Sequence, residues 1–355
     1  MRFMAYFMAC FFLLLSTLMY AENLNFKFFG FLQTHYSMQK GNTMDEDDTD
    51  FNTHNGFGVR RVRLITRGNV LENVKFQIQF AFDKQGVYLW DAFMDYLVNE
   101  KFNIRVGKFI GVSTKNGGLV SSAALDFAWR PAGVIYWDSK MGHHGYRDLG
   151  IMAYGKLSNK LSYKLSFTNG GGADNTLANI TSDYTTSGNK GFSVGGMLES
   201  KLTKCLGVGA YAIKSNKYES HHFDGMGYGA YIKFDNKKVS INAEYLGWTG
   251  DLLHNPYASH VTKTDDNAIG YTLTGTYYLT PKIQLAARYD VFDPEENNGE
   301  SDYNEQDITL GVNYHFVEYN NKKAKIQFNY IIQKENGLTE EPDNNAFVVC
   351  FQVLF

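Results

Sequence analysis

The chain has 355 residues with 34 basic and 37 acidic side chains, a formal net charge of −3 at pH 7, and only 5 prolines. No basic arm favours nucleic acid and no linker-like shift in composition divides the chain, which excludes a polynucleotide-binding protein and a string of small domains. Aromatic residues at 15% and 34 glycines accompany a mildly polar hydropathy, a mixture that suits strands apolar on one face only.

Residues 1–21 read as a secretory signal peptide. Arg2 supplies the positive charge, Phe3 to Met19 is nearly all apolar, and cleavage is expected after Ala21. The alternative, a membrane-anchoring helix, needs a longer apolar run and a basic cluster behind it. Residues 22–355 then form a single exported domain with 33 basic and 37 acidic residues once Arg2 is lost. Only Cys205 and Cys350 remain in it, assigned to distant strands, and no disulfide between them is expected.

The first predicted strand covers Asn25 to Met38, with Phe26, Phe28, Leu32 and Tyr36 on one face. The second, Phe57 to Asn69, places Arg61, Arg63 and Arg67 opposite Val62 and Leu64. A charged side chain at the lipid midplane costs roughly 2–4 kcal/mol, so the arginine face must look inward. Arg60 breaks the alternation near the strand's start, where a barrel rim tolerates it. The third strand alternates most cleanly: Val74, Phe76, Ile78, Phe80 and Phe82 against Lys75, Gln77, Gln79, Ala81 and Asp83. Apolar-out and polar-in is the dress of a membrane barrel. Val87 to Val98 repeats it, with Tyr88, Trp90, Met94 and Tyr96 outward and Asp91 and Asp95 inward. A fifth strand is expected over Ile104 to Ile110.

Eleven more segments follow the rule: Asp148–Leu157, Leu161–Thr168, Phe192–Leu202, Cys205–Lys214, Gly225–Asp235, Val239–Thr249, Ala268–Leu279, Ile283–Phe292, Asp307–Val317, Lys323–Gln333 and Ala346–Phe355. The last carries Phe347, Val349, Phe351, Val353 and Phe355 on its greasy face and should close the barrel against the first strand. Its other face includes Val348, Cys350 and Leu354, unusual for a wet lumen and expected to lie where a long loop packs on the wall. The expected fold is therefore all-β, an antiparallel transmembrane barrel of about sixteen strands with both termini at the periplasmic end.

Connection lengths alternate as such a barrel requires. Short turns fall at 99–103, 158–160, 203–204, 236–238 and 280–282; long loops fall at 39–56, 111–147, 169–190, 215–224, 250–267, 293–306 and 334–344. The tight 84–86 connection on the long-loop side is the exception. The third connection on that side, 111–147, is the longest and is read as functional. Tyr277, Tyr278, Tyr289, Tyr314 and Tyr330, near strand ends, suit either an interfacial aromatic girdle or plain strand propensity.

No nucleophile, metal or nucleotide motif stands out, so no enzyme, cofactor or metal is expected. The pairs His143–His144 and His221–His222 lie in predicted loops as solvated side chains. The informative set is basic and inward: Arg61, Arg63, Arg67, Lys75, Arg105, Lys164, Arg288 and Lys325. In a narrow pore these attract anions; alternatively they only balance Asp91, Asp95, Glu244 and Asp290. The loops are acidic at 45–50, 265–266, 295–296 and 340–341. Those carboxylates would repel anions at the mouth, hold cations against lipopolysaccharide, or form a solvated rim.

Several of these elements together resemble the phosphate-selective porin O and P family: Arg60-Arg61-Val62-Arg63-Leu64 with Gly68; Asp91-Ala92-Phe93 with Asp95-Tyr96; Ile104-Arg105-Val106-Gly107-Lys108-Phe109; Ser121, Ser122, Phe127 and Arg130; and Arg147-Asp148-Leu149-Gly150-Ile151. The specific likeness covers Gly56 to Leu157. It implies a sixteen-stranded, trimeric outer-membrane channel whose third long loop folds inward, with Arg60, Arg61, Arg63 and Arg130 on an anion path. The implied cargo is small hydrophilic solutes or inorganic anions such as phosphate, and the surroundings are outer-membrane lipid and lipopolysaccharide. The rival from another class is a non-conducting barrel serving as adhesin or receptor, whose lumen would be filled by packed side chains.

Overall fold

Residues with strict period-two alternation pair edge to edge until no edge remains. The computed structural model describes residues 25–39, 55–83, 86–140, 146–170, 192–215, 224–251, 266–294, 304–318, 323–336 and 344–355. The strands are β1 Asn25–Gln39, β2 Gly56–Leu71, β3 Val74–Asp83, β4 Gly86–Leu97, β5 Asn103–Ile110, β6 Arg147–Lys156, β7 Leu161–Thr168 and β8 Ser193–Lys201. The second half comprises β9 Leu206–Ser215, β10 Asp224–Asp235, β11 Val239–Asp251, β12 Asp266–Tyr278, β13 Ile283–Asp293, β14 Asn304–His315, β15 Ala324–Asn336 and β16 Ala346–Leu354. Each pairs antiparallel with its sequence neighbours. β16 returns to β1 and closes the barrel.

That closure is the expected one, from Phe31↔Leu354 to Gln39↔Ala346. It is tied at the end by reciprocal backbone bonds between Gly30 and Phe355, 2.8 and 3.1 Å. Alternation sets the faces throughout. On β14, Ile308, Leu310, Val312 and Tyr314 are exposed on the outer wall, whereas Asp307, Thr309, Asn313 and His315 are buried inside. No helix among the described residues is long and apolar enough to cross a membrane, so the crossing is made by strands.

Three departures from alternation have local causes. Arg60 is the extra residue of a β-bulge: Gln33 pairs with Arg61 and Thr34 with Val59, so the register steps over Arg60. Trp90 was expected on the outer wall, but Gln79 pairs with Asp91 and Phe80 with Leu89, so Trp90 is likewise bulged and lies against inward arginines. Lys108 follows Gly107, whose φ of +125° suits a residue without a Cβ, and is buried beside Arg147 and Asp148. Of the five tyrosines read as a girdle, Tyr277, Tyr289, Tyr314 and Tyr330 face outward. Tyr278 is buried within, 3.5 Å from His315 Nε2.

Candidate functional site

The connection from β5 to β6 spends its polar groups on the far wall of the barrel. An irregular segment cannot satisfy its own backbone, so buried carbonyls and amides need partners elsewhere. The inward side chains of successive strands provide them. Ser122 O accepts from Gln33 Nε2 of β1 at 3.3 Å, Ala123 O from Gln352 Nε2 of β16 at 3.0 Å, and Leu125 O from Gln327 Nε2 at 3.1 Å and from Lys325 Nζ of β15. Asp126 O accepts from Asn313 Nδ2 of β14 at 2.8 Å, Ala128 N donates to Asn329 Oδ1 at 2.8 Å, and Trp129 O accepts from Arg288 Nη1 of β13 at 2.7 Å.

The start of the segment is held by Glu244 of β11. Its carboxylate accepts from the backbone N–H groups of Lys115 and Asn116, from Asn116 Nδ2 at 2.8 Å and from Tyr211 Oη at 2.7 Å. Apolar packing completes the seat. Ala128 and Trp129 meet Ile331, Ala346, Val348 and Cys350, which accounts for the apolar inner face of β16. A helix, α1 (Ala132–Lys140), then lies on β12 and β13, where Gly133 and Gly270 let the two backbones approach. Its Tyr136 and Trp137 are fully buried against Tyr211, Trp248 and Phe292, with ring centroids 4.7–5.6 Å apart. The alternation rule gave no sign of this helix.

The two feet of the segment are fixed by buried charges. Arg147 Nε and Nη2 donate to Asp91 at 2.8 and 3.2 Å across β5, and Gln77 Nε2 adds a bond to Asp91 at 3.1 Å. Asp148 accepts from Gly170 N at 2.7 Å and Leu149 N at 2.8 Å. Lys108 stands among Asp91, Arg147 and Asp148. The Asp91, Gly107-Lys108 and Arg147-Asp148 motifs thus meet in one place.

The basic residues singled out in the sequence fall into two groups. Arg61, Arg67, Lys75, Arg105 and Lys164, on β2, β3, β5 and β7, face inward and retain exposure. Arg61 Nη1 lies 3.5 Å from Gln33 Oε1, Arg67 over the Phe29 ring at 4.3 Å, and Arg105 over Phe93 at 3.8 Å while gripping Asp95 at 2.8 and 2.9 Å. Arg60 stands with Arg61 near His35. Arg63 is buried, 3% exposed, with its guanidinium 4.7 Å from the Trp90 ring. The second group holds the long segment. Arg288 bonds Asp290 at 2.7 Å as well as Trp129 O, and Lys325 bonds Leu125 O. Arg130 folds back on its own segment, to Asn116 O, Gly117 O at 2.9 Å and Val120 O at 3.0 Å.

Lys115 and Lys233 were not singled out. Both lie beside a cavity, Lys115 with its amine 4.6 Å from the Tyr231 ring. Burial pushes the Lys115 amine below the usual lysine range; Glu199 works against that shift and Lys233 with it. Lys233 could have been found from its inward register on β10, whereas Lys115 lies in a segment with no periodicity to read. Among the described residues no group of three or more His, Cys, Asp or Glu side chains could hold a metal. Both histidine pairs, and most of the acidic loop clusters, lie outside the described residues.

A closed sixteen-strand barrel with an outward apolar wall and a polar, charge-lined interior defines an outer-membrane porin. The family model for phosphate-selective porin O and P matches residues 32–113 and 218–355, more than half of the chain, and the protein belongs to that family. No curated protein matches it in sequence. Solved structures match in fold. The anion-selective porin from Comamonas acidovorans aligns over 94% of this chain and 100% of its own at 11% identity and a TM-score of 0.64. Pseudomonas putida OprB aligns over 96% of each chain at 11% and 0.64, and the outer membrane channel DcaP of Acinetobacter baumannii over 94% and 98% at 14% and 0.62.

Proposed function

We propose that this porin passes small hydrophilic anions, inorganic phosphate among them, by diffusion down their gradient. One observation carries the reading: four inward acids are covered while much of the inward base is not. Asp91, Asp95, Glu244 and Asp290 are each buried to within 7% exposure and engaged by donors, whereas Arg67 and Lys75 are exposed and Arg61, Arg105 and Lys164 partly so. Water in the open part of the lumen therefore meets a positive wall. In a narrow, poorly solvated passage such a wall concentrates anions and offers forked donors to oxyanions.

The family supports the same direction, as does the likeness in fold to a porin described as anion-selective. On this reading Arg60, Arg61, Arg67, Lys75, Arg105 and Lys164 form the anion path, and Arg63, buried beside Trp90, adds its charge from behind that wall. Arg130, Arg288 and Lys325 shape it by holding the long segment. The mature protein starts at Glu22 and assembles as a homotrimer within lipid and lipopolysaccharide, to be checked by intact mass and by native mass of the detergent-extracted oligomer. Single-channel recording in planar bilayers tests the central step: phosphate should interrupt the chloride current at millimolar concentration, and Arg61→Ala with Arg67→Ala should weaken the effect. The packed Tyr136, Trp137, Trp248 and Phe292 cluster inside the barrel favours a second reading, a non-conducting receptor. Folded, inserted protein that gives no current steps would overturn the anion-passing reading and favour the second.

A further inference from the structure

The long segment does not lie flush on the wall along its whole course. Between its arc, from Lys115 to Pro131, and the inner faces of β10–β13 is a cavity of about 300 Å³, at the lower end of the roughly 300–1,000 Å³ typical of small-ligand sites. It sits toward the short turns, the periplasmic half of the barrel, because Lys233, Ser240 and Thr276 lie near the turn-side ends of β10, β11 and β12. Its wall is unlike the arginine-bearing β2 wall. Ser240, Asn242, Thr274 and Thr276 present hydroxyl and amide groups from two adjacent strands, with Asn242 opposite Thr274 and Ser240 opposite Thr276 in register.

Asn242 is 7% exposed and gives its Nδ2 to Asn116 Oδ1 at 2.8 Å, while its own Oδ1 accepts no hydrogen bond from any described residue. A buried acceptor of this kind calls for a donor, and a solute hydroxyl is one. Cationic groups flank the hydroxyl wall. Lys115 and Lys233 are near enough to act on one another, and they are partly offset by Asp235, bridged to Lys233 Nζ at 2.6 Å, by Glu199 and Glu244 near Lys115, and by Asp126 on the lining; Arg130 and Arg288, engaged by segment carbonyls, also border the space.

We propose that this cavity is a binding subsite for a hydroxylated anion, a monosaccharide acid carrying one carboxylate. Its hydroxyls are taken by Asn242, Thr274 and Thr276, and its carboxylate by Lys115 and Lys233. The volume admits one six-carbon solute. The inference rests on the anion-passing reading but adds a pocket to one side of the arginine path, with a polyol specificity that a bare positive wall does not supply.

The test uses full-length protein in planar bilayers with D-gluconate as probe, and D-glucose and acetate as comparators. Gluconate should cause resolved current interruptions, more frequent from the periplasmic side, with glucose and acetate each several-fold less effective. Thr274→Val with Thr276→Val, which keeps side-chain volume, should shorten the gluconate dwell about tenfold, the loss of two modest hydrogen bonds. Lys233→Met should reduce the gluconate effect and leave that of glucose. Folding of each variant is read from its heat-dependent gel shift. Interruptions insensitive to all three substitutions, or equal for acetate and gluconate, would overturn the subsite, as would their absence in channels that a chloride gradient shows to be anion-selective. Cation selectivity with gluconate dwells still shortened by Thr274→Val and Thr276→Val would discard the anion path and keep the pocket.

Discussion

The same residue type does different work here according to what covers it. Arg67 is exposed and rests on the Phe29 ring, whereas Arg63, two pairs along the same face, is buried beneath Trp90. Arg61→Ala with Arg67→Ala is therefore expected to lower the anion-to-cation permeability ratio while changing unfolding stability by no more than about 0.5 kcal/mol per site. Asp91→Asn is expected to do the reverse. It leaves Arg147 buried without its counter-charge and should cost about 3–5 kcal/mol, read from urea unfolding in lipid vesicles. A loss below 1 kcal/mol would mean that solvent reaches that pair. Much of this was open to sequence reading, because charge at every second position can point only inward. What was closed to it were Arg60, Trp90 and Lys108. Two of them sit at bulges and the third follows a positive-φ glycine, and a single extra or twisted residue reverses the side that parity assigns.

At the scale of elements, the strands were legible to within two or three residues because lipid outside and water inside impose opposite demands on adjacent positions. Leu310, at the middle of β14 and 49% exposed on the outer wall, carries that demand. Leu310→Arg should destabilise the barrel by about 2–4 kcal/mol, measured by the same unfolding assay. The long segment obeys no period. Its partners, from Gln33 to Gln352, are far away in sequence, so the length of the connection marked it as special while its seat stayed hidden. Only the apolar inner face of β16 hinted at the place, and Trp129 fills it. Trp137 is fully buried between α1 and the wall; Trp137→Ala should cost about 3–5 kcal/mol and loosen the helix, seen as noisier single-channel current and faster proteolysis between β5 and β6.

For the whole molecule, closure of sixteen strands leaves an interior divided between two tasks. The β9–β16 and β1 side is largely occupied by the inward segment, its hydrogen bonds and its aromatic core. The β2–β8 side keeps exposed and half-exposed basic side chains, while Asp91, Asp95 and Asp148 on it are buried and hydrogen-bonded. Selectivity on this account follows from which charges remain wet rather than from net charge, which is negative for the chain as a whole. The most direct measurement is the reversal potential of the purified channel in a planar bilayer under a tenfold potassium chloride gradient. The account predicts a sign set by chloride and a shift toward zero on Arg61→Ala with Arg67→Ala; a sign set by potassium in the unaltered channel would contradict it.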